Sequence, residues 1–204
     1  MIVDSEMRGY YDRRAPEYDD WWLGRGQYAG LDRPGWHEEV RQLIEVVAGL
    51  PPARVLDVAC GTGFLTRHLR GQVTALDQSP AMVEIACSAA PQARVVRGDA
   101  VPLPFADGSF DRVFTGHFYG HLLEPERAAF LAEAGRVADR LVVVDSAVRE
   151  GVDEEQWQTR RLSDGSDHRV YKRYFSGPGL ADELGGGSVL HAGRWFVAVE
   201  APTR

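Results

Sequence analysis

The 204-residue chain holds two cysteines and three methionines, and its 23 bases are outnumbered by 30 acids. Each shortage excludes something. Cys60 and Cys87, with no histidine or further cysteine at ligand spacing, support neither a disulfide-stapled scaffold nor a zinc site, so no metal is expected. No run approaches the ~18 apolar residues of a membrane helix, and Met1–Tyr10 lacks the apolar core of a signal peptide. The expected location is therefore cytoplasmic, with no membrane partner and both cysteines reduced. A net charge of −7 disfavours nucleic acid as a partner. The 22 glycines show no three-residue period, which excludes collagen. No Gly-x-x-x-x-Gly-Lys-Ser/Thr loop exists to cradle a triphosphate.

What is present is an alternation of β-branched runs and helical stretches from Ala53 onward. Arg54–Val58, Val73–Leu76, Arg94–Arg97, Phe110–Phe114 and Leu141–Val144 read as strands. The spacing predicts helices over Phe64–Leu69, after Ser79-Pro80 (an N-cap and first helical position), and from Pro125 through Val137. Leu141–Val144 is apolar throughout, as a strand covered on both faces must be. This order predicts right-handed βαβ units and a mainly parallel, doubly wound α/β sheet. Residues 1–50 are expected to form an N-terminal lid and an amphipathic helix, 53–146 the ligand-binding core, and 147–204 closing strands of the same sheet, all within one domain. Val170–Phe175, Ser188–His191 and Trp195–Val199 are the expected closing strands, and the six glycines from Gly177 to Gly193 are expected in the turns between them.

The informative segment is Val55–Leu65, where a strand ends in Asp57 and Gly61-Thr62-Gly63 turns toward a helix. In open parallel sheets, ligands bind at the carboxyl ends of the strands, and glycine admits close backbone approach. Asp77 ends the second strand, a position suited to the two hydroxyls of a ribose, and Asp99 follows the third. A dinucleotide prefers the full Gly-x-Gly-x-x-Gly spacing, but Thr66 stands where the last glycine belongs. Three carboxylates at one sheet edge better suit an adenosyl ligand that carries an ammonium and a sulfonium but no phosphate.

Leu56–Gly63 (LDVACGTG), Leu76–Val83 (LDQSPAMV) and Gly98–Phe114 (GDAVPLPFADGSFDRVF) resemble, in order, three motifs of the class I S-adenosylmethionine-dependent methyltransferases. The similarity is strongest to the small-molecule branch that includes the ubiquinone/menaquinone-biosynthesis type, and runs from about Arg54 to Val144. It implies a Rossmann-like, seven-stranded sheet with helices on both faces and an N-terminal helical lid. It also implies S-adenosyl-L-methionine as cofactor and S-adenosyl-L-homocysteine as product. Gly61 and Gly63 would then admit the methionyl part, with Asp57 orienting the loop or reaching the ammonium. Asp77 would hold the ribose with Gln78 beside it. Met82 and Val101 would pack on the adenine, and Asp99 with the Ala100 amide would receive its amine. Gly98 and Gly116 fall at strand ends beside the same ligand, and Ala59 stands where the family often has glycine. Tyr10–Asp19 resembles the family's entry segment, so Tyr11 and Tyr18 are expected to close over the cofactor, Arg13 is a candidate carboxylate partner, and Trp21 and Trp22 complete or anchor the lid.

Transfer of a methyl from a sulfonium requires alignment above all, and a base only for an acceptor that must lose a proton. His117 and His121, expected to titrate near neutrality, are the candidate bases or substrate contacts, and Tyr119 is a weaker one. Asp167, His168, Tyr171, Lys172 and Arg173 are placed either in a pocket or on a solvated strand face. Trp157 and Trp195 are placed either as substrate walls or in the core. With no long insertion after the fifth strand, the expected acceptor is a small molecule. Two other readings stay open: a NAD-dependent oxidoreductase, and a protein that binds S-adenosylmethionine without catalysis.

Overall fold

A computed structural model describes residues 5–203; Met1–Asp4 of the expected lid, and Arg204, lie outside the described residues. The chain begins with α1 (Ser5–Arg14), α2 (Tyr18–Leu23) and α3 (Trp36–Gly49). Five parallel strands follow, β1 (Ala53–Val58), β2 (Gly71–Asp77), β3 (Arg94–Arg97), β4 (Arg112–Gly116) and β5 (Arg140–Ser146), interleaved with α4 (Pro80–Ala89) and α5 (Glu124–Val137). The C-terminal region contributes β6 (Glu155–Arg161), β7 (Asp167–Arg173), α6 (Gly177–Glu183), β8 (Ser188–Ala192) and β9 (Phe196–Pro202). The main sheet has seven strands in the order β3-β2-β1-β4-β5-β9-β8, with β9 antiparallel to both neighbours. Strand order reverses between β1 and β4, which opens a crevice at their carboxyl ends.

The period-2 alternation of strand side chains sorts the core into two layers. Leu56, Val113, Leu141, Val143, Val197 and Val199 pack with Phe130 and Leu180 on the face that α5 and α6 cover. Val55, Phe114, Val142, Val144, Phe196 and Ala198 pack on the other face beneath Leu43 and Val47 of α3. Ser79 caps α4 as its sequence predicts, its hydroxyl accepting from Met82 N at 3.1 Å.

Three expectations are corrected. The helix predicted over Phe64–Leu69 is a single 3-10 turn, Thr66–His68. The connection from Val58 to Gly71 is too short for both the glycine loop and a full crossover helix. Phe64, Leu65 and Leu69 still bury against the face that α3 covers. Of the stretch Val170–Phe175 only Phe175 reaches the main sheet, bridging Ala147 just past β5, while β7 pairs with β6 in a separate antiparallel hairpin. A strand with polar groups on both faces finds no place in a sheet buried on both sides. The glycines at 177 and 179, expected in turns, lie in α6, whose Ser176 hydroxyl accepts from Gly179 N at 3.1 Å.

Candidate active site

The crevice at the carboxyl ends of β1, β2 and β4 is a partly open cleft with a cavity volume of about 90 Å³. Met7, Tyr11 and Tyr18 of the N-terminal segment form one wall, and Ala59, Gly61, Asp77, Gln78, Met82, Gly98, Ala100 and Gly116 line the sheet side. His117 and His121 line its inner end. Ala59 and His117, which follow β1 and β4, are the non-glycine residues with positive φ among those described, both at +57°. L-residues rarely adopt this conformation, and it concentrates where a backbone is held for function.

Asp77 organises the loop. Its Oδ2 accepts from Gly61 N at 2.9 Å and its Oδ1 from Ser79 N at 2.9 Å. One acceptor site on each oxygen therefore remains for two adjacent hydroxyls. Burial pushes its pKa up to about 6, against the pull of the amides of Ser79, Gly61 and Gln78. Gly61, at φ +56°, brings its backbone beside the Tyr18 ring, which a Cβ there would meet at 3.6 Å. Gly63, at φ +80°, lies outside the cleft, and its missing side chain lets the loop pack on Ala86 of α4 and on Ala90, which caps its C-terminal end.

The predicted acids do not converge. Asp57 is buried behind the loop, where its Oδ2 accepts from the Thr66 hydroxyl at 2.6 Å. Burial drives its pKa up to about 7, Thr66 opposing and the Asp77 charge adding. It borders a small side cavity with Tyr18, Trp22 and Cys60 rather than the cleft. Asp99 is 55% exposed and faces Arg8 at 3.5 Å, outside the cleft lining. Val101 also lies outside the lining, packed partly against the α5-side core.

The N-terminal segment is clamped on this loop by charged groups. Asp12 accepts from the hydroxyl of the cap Ser79, and Asp19 from the Thr62 hydroxyl at 2.5 Å. Arg13 points to solvent, whereas Arg14 is buried, donating to Tyr10 Oη and packing 5.1 Å over the Tyr18 ring. Trp22 stacks on Phe64 at 4.6 Å, and Trp21 lies edge-on to the His117 ring at 4.8 Å.

His117 and His121 do not titrate near neutrality. Burial depresses His117 to about 3, with Lys172 and Arg160 adding to the effect and Asp145 opposing it. His121 lies well below its usual value for the same reasons, burial first. Its Nδ1 stands 2.6 Å from the Tyr171 carbonyl, which only accepts, so Nδ1 carries the proton. Both rings are neutral and weakly basic at pH 7. Their Cε1 proton resonances should stay at neutral-imidazole positions down to pH 5; a midpoint between pH 6 and 7 for either ring would contradict this burial.

A second cavity, about 490 Å³, meets the cleft at Tyr11, Tyr18, His117 and His121. Its roof is the inner face of the β6–β7 hairpin, carrying Gln158, Arg160 and Lys172, and its floor includes Ser146 at the end of β5. Lys172 is buried on Asp145, whose carboxylate also accepts from Gly120 N and Ser146 N, each at 2.7 Å. Trp195 lines this cavity, and Trp157 lies on the outer face, 52% exposed. Tyr119 is buried away from both cavities and donates to Glu183 at 3.0 Å. Sequence reasoning missed this cavity because β6 carries no apolar alternation to mark it as a strand.

A glycine loop after β1, an acid closing β2 and a 3-2-1-4-5 parallel sheet finished by an antiparallel pair define a Rossmann-like methyltransferase architecture. A family model described as "Methyltransferase domain" matches residues 56–140. Demethylmenaquinone methyltransferase of Renibacterium salmoninarum is 35% identical over 149 residues, spanning 69% of this chain and 59% of that protein. The 2-phytyl-1,4-naphtoquinone methyltransferase of Synechococcus elongatus is 34% identical, over 67% of this chain and 60% of its own length. The chain thus spans about 60% of the length of these curated relatives. Among solved structures, the DhpI–SAM–HEP complex superposes with a TM-score of 0.75 at 25% identity, covering 98% of this chain and 100% of that one. In its core and its fold the chain is similar to the class I S-adenosylmethionine-dependent methyltransferases.

Proposed function

We propose that the cleft binds S-adenosylmethionine and that the chain transfers its methyl group to a small-molecule acceptor in the adjoining cavity. The observation that carries this reading is the polar character of the cleft. Gln78 Oε1 and His117 Nε2 are buried without a hydrogen-bond partner among the described residues, and both residues line the cleft with the half-satisfied Asp77. Buried polar atoms are rarely left unpaired, so the residues present fit a ligand with donors at one end and a ribose diol in the middle. When bound, this cofactor supplies an electrophilic methyl on a positively charged sulfur. Asp77 accepts from the ribose hydroxyls, Gln78 lies beside it, and Met82 and Ala100 pack where the purine belongs. Tyr11 and Tyr18 close the cleft from the lid side and exclude water. His117 and His121 stand at its junction with the second cavity, where they orient an acceptor.

The relatives named for naphthoquinones make a quinone-type molecule one starting candidate for the acceptor, and DhpI is similar over nearly the whole chain. A cytoplasmic setting belongs to the same reading; among the described residues no helix is long and apolar enough to cross a membrane. The test is release of S-adenosylhomocysteine from the full chain with fractionated small metabolites. Cofactor-dependent turnover in a fraction is the expected result. Tight NADH binding without S-adenosylmethionine binding would favour the oxidoreductase instead, and cofactor binding with no turnover in any fraction a non-catalytic role.

A further inference from the structure

The second cavity is cationic in a chain whose net charge is −7. Arg14, Arg33, Arg149, Arg160, Arg161 and Lys172 line it, against one lining acid, Asp32. Lys172 is neutralised by Asp145, and Arg161 by Asp167 on the hairpin surface. The other four guanidiniums have no carboxylate partner among the described residues. Arg14 donates to tyrosine hydroxyls, and Arg33 to the carbonyls of Trp21 and Tyr28. Arg160 donates to the amide oxygen of Gln158 at 3.0 Å. Arg149 lies only against rings, 4.9 Å from the centroid of Trp195 and 5.0 Å from that of Tyr174. Gathering four unneutralised charges around one cavity is unfavourable unless something anionic fills it. Guanidinium is the group whose fork matches carboxylate and phosphoryl oxygens.

We infer that the methyl acceptor is a small organic oxyanion, a carboxylate or phosphoryl compound, held by Arg149 and Arg160 and methylated on oxygen. The inference rests on the methyl-transfer reading above and specifies its acceptor. It also explains why the histidines at the junction are poor bases. An oxyanion reaches the site already deprotonated, so no proton has to be removed. One of its oxygen lone pairs forms the new C–O bond as the methyl–sulfur bond breaks, and that bonding pair returns to sulfur. The products are a methyl ester with one negative charge fewer and a neutral thioether, with no proton transferred. A neutral quinone can accept from the guanidiniums but leaves their charge uncompensated.

The experiment is calorimetric titration of the full chain, with and without S-adenosylhomocysteine, using inorganic phosphate and benzoate as oxyanion probes and benzamide and 1,4-naphthoquinone as neutral ones. One oxyanion should bind at least about tenfold more tightly than either neutral probe, and whichever of the two does so identifies the oxyanion class. Arg149→Gln and Arg160→Gln should each weaken that binding about fivefold or more, while S-adenosylhomocysteine affinity stays within about twofold and thermal melts remain cooperative. Arg160 lies on the hairpin, so its variant remains informative if Arg149→Gln folds poorly. Equal or tighter binding of a neutral probe, or oxyanion binding indifferent to both substitutions, overturns the inference. Failure of S-adenosylhomocysteine to bind would instead overturn the cofactor reading, and the titrations without it still decide the cavity.

Discussion

Asp77→Ala is expected to weaken S-adenosylmethionine binding by roughly 100-fold or more, the effect of losing two hydrogen bonds to a charged acceptor at about 1.5 kcal/mol or more each. The loss has two parts. The carboxylate oxygens that would accept from the ribose disappear, and so do the acceptors that tie down Gly61 N and Ser79 N. The glycine loop then loses its anchor to the end of β2, and the cap of α4 loosens. Asp77→Asn separates the parts. It keeps one acceptor oxygen but turns an NH₂ toward one of the two amides, so its affinity should fall between parent and alanine variant. Affinity should also depend on pH with a defined sign. Burial holds the Asp77 pKa up at about 6 in the unliganded chain, and the ribose hydroxyls need the ionised form. Binding is therefore complete above pH 6 and declines as the pH falls through it. The unliganded fold behaves in the opposite sense. A carboxyl whose folded pKa is raised stabilises the fold below the ordinary carboxyl range, and that contribution is lost as pH rises from about 4 to 6. Asp57, pushed higher still, adds to the same slope up to about pH 7. Calorimetry from pH 5 to 8 measures the first effect and urea unfolding of the ligand-free chain the second; unchanged affinity in Asp77→Ala would remove the ribose assignment.

The parts of this site legible in the sequence are those that a few consecutive residues encode. Val55–Val58 and Leu141–Val144 announce strands by their apolar runs, Ser79-Pro80 announces a helix start, and Asp57 and Asp77 are fixed at strand ends by the strands themselves. Side-chain direction at a strand end is another matter. Asp57 stands opposite Ala75, two residues short of the place Asp77 holds on β2, and it lies behind the loop on Thr66 while Asp77 organises the cleft. Asp99 lies two residues past Arg97, the β3 partner of Asp77, and faces Arg8 in solvent. Helical spacing at Phe64–Leu69 was real as burial and wrong as a helix, because spacing says nothing about the length of chain left to reach β2. The cationic cavity was out of reach altogether. Arg14, Arg33, Arg149 and Arg160 come from separated segments, and each taken alone reads as a solvated charge; for Lys172 the sequence leaves a pocket and a solvated strand face both open. Only the folding of a polar hairpin over the end of β5 brings them to one space.

The largest effect on stability is expected from Lys172→Met, which removes the ammonium paired with Asp145 on that hairpin. Asp145 is fully buried, and the Lys172 charge is what holds its pKa below the ordinary carboxyl range against the pull of burial. Taking away one member of a buried pair typically costs about 3–5 kcal/mol, because the remaining charge is left without compensation. At roughly 2–4 °C per kcal/mol for a chain of this length, the melting midpoint should fall by about 10 °C. Two further measurements distinguish a lost charge partner from lost packing. The double variant Lys172→Met with Asp145→Asn should regain much of the deficit, since no buried charge then remains. The deficit of the single variant should also shrink as pH falls. In the parent, Asp145 has a depressed pKa, so the stability it contributes is present above the ordinary carboxyl range and is lost on acidification. In Lys172→Met the unpaired carboxyl has a raised pKa, and protonation relieves the fold instead, so the two proteins approach one another from pH 7.5 to pH 5. A deficit independent of pH and undiminished in the double variant would mean that the methylene chain of Lys172, rather than its charge, secures the hairpin over the acceptor cavity.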